Sequence, residues 1–466
     1  MEFSSVSEVQ IMETTMTLRS EIEKGITELG MNFSSFGELS GINRGIFSAI
    51  LNGSPPKPIS LNQMEAITRA FGYPEGWMFD LYIEECFYDG KPNRRRVEPF
   101  LIRCAELGKT DCIREVLSRL LEDLKHVSMI FDIAENLFTS GKVKESLVFY
   151  ECVVENEKYH HSERLAISHY RLFRASIGED NEQNLRAALR FESYCGKLPD
   201  HHRLDGLLQL TNVYFNLGRW SEVEFYADEL RLFSKHIYEN RVHHKKFKAN
   251  HEFLKTDRHL VVYYGQGYLQ KGNALEHQEK YDKAMEYIQG YSDLSWFENL
   301  DEVGLTEVKK FKDWAVANQF NLTILKGDAS VLERYSLFLE EHPHEILPSV
   351  LTILESANKH DFKIEKILNK FLSVVMDGSK NNYYNSSFSL NRQANLYYQL
   401  ALYNFRNQEK KNAIDFTLQA LDLSIKLNNR TVSMQSVALF EEMRKQASAE
   451  QVKEYETLIR TVYLNA

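Results

Sequence analysis

The chain has few of the residues that interrupt helices. Its 466 residues include only 9 prolines and 22 glycines, while 43% are hydrophobic. Because proline and glycine mark turns and loops, their scarcity favours long helices joined by short connections. A chain of this length exceeds one ordinary domain. We therefore predict an all-α protein built from more than one part.

The cysteines are also few and show no pairing pattern. The chain has five, an odd number, and none forms a Cys-x-x-Cys pair. This usage is typical of packed thiols in a reducing compartment, so we expect a cytoplasmic protein. No stretch reaches the roughly 18 apolar residues that a membrane span needs. The first sixteen residues carry three glutamates and no apolar run, so we expect neither a signal peptide nor a membrane partner.

Signals of enzyme chemistry are missing as well. The long C-terminal region has no Gly-rich phosphate loop and no nucleophile elbow, and no acid–base constellation stands out. His243, His244 and His251 form one histidine group, and His342 with His344 forms another. Neither group has cysteines or acidic residues at a recognised metal-ligand spacing. We expect no enzyme activity, no cofactor and no bound metal.

The segment from Asn32 to Gly53 is the most informative part of the chain. It consists of a short predicted helix, a Gly41-Ile42-Asn43 turn and a second short helix closed by Gly53. Two short helices joined by a tight glycine turn form the unit that lays one helix in the DNA major groove. Asn43 can cap the second helix, because its side-chain oxygen can accept from the free amides of the first turn.

Further predicted helices flank this pair. One begins at Thr17, Ser60 opens another with a capping box, and Pro74 suits the first turn of a fifth. The five helices would form a compact bundle over residues 1–90. A linker at residues 91–97 would follow.

This order of helices, with the glycine turn followed by Arg44, resembles the phage-repressor-type (XRE) helix-turn-helix family. The residues that match the core positions of that family are Phe36, Ile42, Phe47 and Ile50. By this resemblance, Arg44 and Ser48 are the leading candidates for contact with bases or phosphates, since Arg can bind guanine bidentately and Ser can reach either group. The full set of predicted DNA-binding residues is Asn43, Arg44, Gly45, Ser48, Ala49, Asn52, Lys57, Arg94, Arg95 and Arg96.

The charge of the bundle leaves two interpretations open. The whole chain carries a net charge of -10, so any DNA contact must come from a local patch. Residues 1–90 carry five Lys or Arg against thirteen Asp or Glu, which opposes DNA binding. Either DNA contact depends on a dimer and on help from Lys57, Lys91 and Arg94 to Arg96, or the bundle contacts another protein. The three arginines themselves can bind phosphate or form a solvated hinge.

Beyond the linker the pattern changes to helix pairs with a period of about 34 residues, the tetratricopeptide period. The best matches have small residues twelve positions apart, Gly272 with Ala284 and Ala401 with Ala413. Roughly eight to ten such hairpins over residues 98–466 would stack into a superhelix with a concave groove.

Three asparagines are candidates for binding a peptide in that groove. Asn212 and Asn273 each follow the first small residue of a repeat, and Asn321 occupies the same place in a weaker one. An amide supplies a donor and an acceptor, so it can pair with the backbone of an extended peptide whatever its side chains. The alternative is that all three are ordinary helix-surface residues. Further candidates, for the ends or side chains of a peptide, are Arg171, Arg174 and Tyr268.

The bundle and the repeat array together resemble the peptide-pheromone receptors of Gram-positive bacteria and their phages, and in layout the arbitrium-peptide receptors most of all. The resemblance implies a cytoplasmic homodimer that binds operator DNA and is switched by a short signalling peptide, in quorum sensing or in the lysis–lysogeny decision. A homodimer is expected because one short recognition helix reads few base pairs and two-fold operators match two-fold proteins. We place the dimer contact in the C-terminal hairpins, residues 391–466. The competing hypothesis is a tetratricopeptide adaptor whose N-terminal bundle docks on a protein and not on DNA.

Overall fold

The computed structural model describes residues 16–159, 162–245, 256–376 and 386–464. All regular secondary structure within these ranges is helical, which confirms the prediction of an all-α chain. None of the described helices is both long enough and apolar enough to cross a bilayer. Contacts between Cα atoms divide the chain into two compact units, unit 1 up to Ser168 and unit 2 from His169.

Unit 1 holds the predicted bundle and the first hairpins. Its helices are α1 (Leu18–Glu28), α2 (Phe33–Ser40), α3 (Arg44–Leu51), α4 (Leu61–Ala70), α5 (Phe79–Cys86), α6 (Arg94–Glu106), α7 (Thr110–Leu120), α8 (Val127–Thr139) and α9 (Val143–Asn156). The next helix, α10 (Glu163–Ser176), spans the boundary between the units in sequence.

Local sequence sets the first four helices. Thr17, Asn32 and Ser60 each cap a helix through the side-chain oxygen, and in each case the third helical residue bonds back to the cap. Gly41 ends α2 in the left-handed conformation, with a φ of 72°, and so makes the tight turn before α3. Asn43 caps α3 by accepting from an amide of its first turn at 2.7 Å.

The fifth helix begins later than the sequence predicts. Pro74 lies in a turn, and α5 starts only at Phe79. The reason is Gly76, whose φ of 77° is left-handed and therefore interrupts any right-handed helix that began at the proline.

A buried carboxylate joins the parts of the bundle. Glu85 on α5 is 2% exposed and pairs with Arg19 on α1 at 2.5 Å. Its other oxygen accepts from the Ile59 amide at 2.8 Å. The Arg19 guanidinium donates further to the carbonyls of Ile50, at 3.1 Å, and Lys57, at 3.0 Å. One ion pair therefore fixes α1, the end of α3, the following loop and α5 relative to one another.

Helices α6 and α7 lie against this bundle. The ring of Phe100 on α6 is 5.0 Å from the ring of Tyr82 on α5, and Arg103 binds Glu65 on α4 at 2.8 Å. The bundle and the helices that follow it therefore both belong to unit 1. Helix α6 begins within residues 91–97, and the role of these residues as a linker stays a prediction.

Unit 2 continues with thirteen helices among the described residues. They are α11 (Asn181–Cys195), α12 (Asp200–Asn216), α13 (Trp220–Lys245), α14 (Leu260–His277), α15 (Tyr281–Ile288), α16 (Glu302–Leu325), α17 (Leu332–Glu341), α18 (Ile346–His360), α19 (Glu365–Met376), α20 (Ser386–Arg406), α21 (Lys410–Lys426), α22 (Arg430–Met443) and α23 (Ala449–Leu464).

These helices form a solenoid-like series of hairpins that closes on itself. Helices α12, α14, α16, α18 and α20 each touch the next one in this order, and α20 touches α12 again. The five inner helices therefore form a closed ring, and we call the centre of that ring the lumen. Buried apolar side chains hold neighbouring helices together, as in the cluster that includes Ile324, Tyr335, Leu354, Phe371 and Leu396.

We predict that Glu85→Ala destabilises the bundle by about 3 kcal/mol, because Arg19 and the Ile59 amide lose a buried acceptor. The matched control is Glu84→Ala. Glu84 is 74% exposed and pairs with Arg119 at 2.7 Å, so its loss should cost less than about 1 kcal/mol. Hydrogen exchange of α1 and α5 in the full-length protein measures both effects. Equal effects would show that burial adds nothing to the Glu85 pair.

Candidate functional site

The outer face of α3 is the first candidate site. Arg44, Ser48 and Asn52 are all exposed and are spaced by four residues, which places them on one face of the helix. Gly45 beside them is exposed, and Ala49 is half-buried. The opposite face carries the core residues of the bundle. This outer face is therefore small, polar and open, with one cation at its start.

The inner face of α3 is held firmly. Phe47 and Ile50 are 0% and 1% exposed, and the ring of Phe47 lies 5.4 Å from the ring of Phe36 on α2. The turn before α3 is equally tight, because a Cβ on Gly37 would lie 2.6 Å from the Ile42 carbonyl oxygen. Rigid support of this kind presents the outer side chains in one fixed arrangement.

Lys57 and the three arginines of α6 lie in different settings. Lys57 is exposed, and its amide donates to the Ala49 carbonyl at 2.8 Å, so its backbone lies beside the end of α3. Arg94 pairs with Glu98 at 3.0 Å and Asp132 at 2.9 Å.

The other two arginines differ from Arg94 and from each other. Arg96 donates to the Glu85 carbonyl at 2.6 Å and lies over the ring of Tyr88, so it has a structural role. Arg95 is exposed and makes no ion pair with any residue the structure describes. Of the three arginines, only Arg95 is therefore placed to offer a charge to a ligand.

The acidity of the bundle is partly cancelled by later helices. Glu65 and Glu75 both bind Arg103 at 2.8 Å. Glu84 binds Arg119 on α7 at 2.7 Å. The net charge of residues 1–90 therefore overstates the negative field of the bundle in the folded protein. Arg44, by contrast, has no carboxylate partner among the described residues.

The lumen of unit 2 is the second candidate site, and α12 contributes one polar stripe to it. Asp205, Gln209 and Asn212 follow the spacing i, i+4, i+7, so they share one helix face. The Gln209 amide donates to Asp205 at 3.4 Å. Other faces of α12 are occupied. A Cβ on Gly206 would lie 2.9 Å from a ring of α11, and Tyr214 stacks on a ring of α13.

Helix α14 repeats this arrangement. Gln266, Gln270 and Asn273 have the same i, i+4, i+7 spacing. The Gln270 amide donates to Gln266 at 3.3 Å, and the Asn273 amide donates to Gln270 at 3.4 Å. On other sides of the helix, Gly267 lies against the α13 backbone and Gly265 against a ring of α16. Two neighbouring inner helices thus carry matching rows of amides.

The remaining inner helices add amides that are already hydrogen-bonded. Asn358 on α18 donates to the side chain of Gln399 on α20 at 2.8 Å. Asn318 on α16 donates to the Tyr291 hydroxyl at 2.8 Å.

The three asparagines predicted to bind a peptide do not share one environment. Asn212 is half-buried and makes no hydrogen bond to any described residue. Asn273 is half-buried and has one weak bond. Asn321 is 6% exposed, accepts from the Tyr335 hydroxyl at 2.8 Å and donates to Asn318, so its amide serves the interior of unit 2.

The other three candidates are engaged as well. Arg174 pairs with the buried carboxylate of Asp205, which also accepts from the Tyr170 hydroxyl at 2.9 Å. Arg171 lies 5.7 Å from the centre of the Tyr170 ring. Tyr268 is half-buried, and the guanidinium of Arg231 lies 5.4 Å from its ring centre. Arg174 is thus linked to the α12 stripe, whereas Tyr268 faces α13.

Four ionisable side chains from α14, α18 and α20 interact electrostatically. The pKa of Glu276 is raised to about 8, mainly by burial and then by Glu355, while Arg392 opposes the rise. Burial raises the pKa of Glu355 to about 7. Desolvation by the surrounding protein, and then Arg392, lowers the pKa of His277 to about 4, although the residue is exposed at its surface. At neutral pH, His277 is therefore uncharged, Glu276 is mostly protonated and Glu355 is about half protonated.

Sequence inspection missed much of this site. The residues that it missed are Gln209, Gln266, Gln270, Glu276, Asn318, Glu355, Asn358 and Arg392. The i, i+4, i+7 spacing of amides on α12 and α14 was a usable signal, since helical periodicity alone places such residues on one face. The contributions of α18 and α20 had no such signal, because they depend on which helices meet.

Neither the histidine groups nor the surface cleft forms a stronger site. Within the described ranges, no three His, Cys, Asp or Glu side chains come together as metal ligands. His251 lies outside the described residues, and so do the side chains of His243 and His244. A cleft of about 650 Å³ lies between α4 and α6. Its walls include Arg94 and Arg103, which are already bound to carboxylates.

Comparison with known proteins adds little to these sites. No protein-family model matches the chain, and no curated protein matches it. Among solved structures it is similar to a circular tandem repeat protein with novel repeat topology and enhanced subunit contact surfaces. The identity is 10%, the match covers 96% of this chain and 90% of that chain, and the TM-score is 0.13. A TM-score this low supports no argument, so function must be inferred from the sites.

We predict that the stability of unit 2 falls as pH rises from about 6 to 9, because the folded state holds a proton on Glu276 that the unfolded chain has released. Glu276→Gln cannot ionise, so over this interval it should gain about 2 kcal/mol relative to the native protein. Urea unfolding at the two pH values measures the difference. Glu286→Gln, at an exposed position of α15, is the control and should follow the native protein. If the stability of Glu276→Gln fell with pH as much as that of the native protein, the raised pKa of Glu276 would be contradicted.

Proposed function

We propose that this protein is a DNA-binding regulator that reads operator DNA with α3 and is controlled by a short peptide bound in the lumen of unit 2. The observation that carries the first part is the outer face of α3. It offers an arginine with no carboxylate partner among the described residues, small residues and exposed polar side chains, on a short helix that follows a tight glycine turn. Such a helix fits the major groove, and its small residues allow close approach to the base edges. A homodimer on a two-fold operator would supply the second recognition helix.

The second part rests on the amide rows of α12 and α14. An extended peptide exposes one donor and one acceptor at each residue, and amides at successive positions along parallel walls match that pattern. Asn212 has no internal partner among the described residues, so binding would not require an existing bond of its amide to break. Glu276 and His277 are mostly uncharged at neutral pH, which suits the neutral backbone of a peptide. The tetratricopeptide receptors that the sequence resembles bind peptides in this general way.

The alternative function is that of a scaffold. Some acidic side chains of the bundle, such as the exposed Glu38 near the glycine turn, have no ion-pair partner among the residues that the structure describes, and they favour docking on a basic protein surface. In that case the outer face of α3 would contribute little to DNA affinity.

For DNA binding we predict that Arg44→Ala weakens affinity for the preferred operator by about 10- to 100-fold and relaxes selectivity at one base position, since one bidentate contact is lost. The preferred operator can be selected from random duplexes with the native protein, and affinities compared by fluorescence anisotropy at fixed salt. Lys24→Ala removes the same charge from an exposed position of α1 and should have little effect. If the native protein selects no duplex, or both variants behave alike, α3 is not the DNA-reading element.

For peptide binding we predict that Asn212→Ala and Asn273→Ala each weaken binding by about tenfold, the usual value of one backbone hydrogen-bonded pair. A synthetic library of short random peptides supplies the ligand, and calorimetric titration gives the affinities. Asn407→Ala is the control, because that exposed amide, in the turn after α20, donates to the carbonyl of Tyr403 in the last turn of α20, at 2.9 Å. Equal effects of all three substitutions would remove the amide rows as the binding surface.

A further inference from the structure

Beside the contact of α20 with α12 that closes the ring, unit 2 has a polar seam. The start of α11 meets the α20–α22 region there, and the residues that meet are at least 210 positions apart in the chain. The backbone N–H of Asn181 donates to the carbonyl of Leu427 at 3.0 Å. The side chains of Asn181 and Asn391 bond to each other in both directions, at 2.8 and 3.3 Å. Both asparagines are buried, at 1% and 4% exposed.

Further polar contacts extend the seam towards the surface. Asn428 donates to Asp180 at 2.7 Å. Arg430, whose side chain is 79% exposed, pairs with Glu182 at 3.1 Å. Every one of these direct bonds is of a kind that water can replace when the surfaces separate.

The junctions of the ring from α16 to α20 are different. Neighbouring inner helices from α16 to α20 share buried apolar side chains such as Ile324, Ile353 and Leu400. Separating those helices would expose apolar surface to water, which hydrogen bonds with solvent do not offset. Opening the seam therefore breaks hydrogen bonds and ion pairs that water can replace, whereas opening the α16–α20 junctions exposes apolar side chains.

A ligand needs such an opening. Gln209 and Gln270, central members of the two amide rows, are only 8% and 5% exposed in the closed ring. An extended chain that contacts them must first widen the lumen. The seam is a site at which the ring can widen without unfolding a hairpin.

We propose that unit 2 opens at the Asn181–Asn391 seam and that this opening controls access to the lumen. The inference rests on the proposed function for the identity of the ligand, but the opening itself is independent of any ligand. In this proposal, a molecule bound across the lumen is retained while the seam is closed and is released when the seam opens. Binding that favours the closed ring would in turn protect the seam.

Hydrogen exchange of the native full-length protein tests the opening directly. The backbone amide of Asn181 reports on the seam, because its acceptor is Leu427 across the junction. It should exchange at least about tenfold faster than amides at the centre of α14, as expected for a local opening below the global one. Exchange of Asn181 at the slow rate of the α14 core would overturn the proposal.

Labelling of a cysteine in the lumen tests access. All five native cysteines are buried, so Asn212→Cys provides a selective position for a maleimide-linked polyethylene glycol. Asn181→Ala with Asn391→Ala should speed this labelling by about tenfold, the factor expected from the loss of one amide pair. Asn358→Ala is the matched control, because it removes an amide contact between α18 and α20, which also share apolar contacts.

The outcomes separate cleanly. Faster labelling in the seam variant alone supports the gate. Equal labelling in both variants and in the parent overturns it. Failure to find a binding peptide would count against the proposed function and leave both seam measurements unchanged.

Discussion

The packing of unit 2 depends on glycines at which neighbouring helices come into close contact. A Cβ on Gly206 would lie 2.9 Å from the ring of Phe191, and one on Gly265 would lie 2.4 Å from the ring of Phe311. Such distances are too short for any larger residue unless a neighbour moves. They fix the rotation of α12 and α14 about their axes. That rotation places each amide row on a face of its helix other than the faces packed against α11, α13 and α16.

Unit 1 uses a buried charge for a similar purpose. The Glu85 carboxylate is fully satisfied by Arg19 and the Ile59 amide, and Arg19 also binds the end of α3. The buried polar groups that support α3 are therefore paired with one another. Arg44, on the outer face of α3, has no carboxylate partner among the described residues. A side chain that is exposed, unpaired and held on a rigid helix can contact a ligand without losing an internal bond. Unit 2 shows the same contrast. The Asn321 amide is hydrogen-bonded to Tyr335 and Asn318, whereas the Asn212 amide has no hydrogen bond to any described residue.

The two candidate sites differ in charge as well as in shape. The outer face of α3 has a cation and is open to solvent, which suits a polyanion approached from outside. The residues assigned to the lumen are mostly neutral amides, and the carboxylate of Asp205 among them is paired with Arg174, so this site suits an uncharged backbone. Each unit can therefore be tested alone, because substitutions at Arg44 and at Asn212 alter different kinds of contact.

Sequence alone determined the features that depend on residues close together in the chain. The caps at Asn43 and Ser60, the turn at Gly41 and the helical class follow from local hydrogen bonds and backbone preferences. The start of α5 was missed because Pro74 favours a helix that Gly76 then interrupts.

Tertiary structure alone decided the properties that need distant segments. These are the neutralisation of acidic residues in the bundle by Arg103 and Arg119, the internal role of Asn321, and the closure of unit 2 at Asn181 and Asn391. Each involves partners that periodicity cannot bring together, because a helix pattern specifies which face is buried but not which helix covers it.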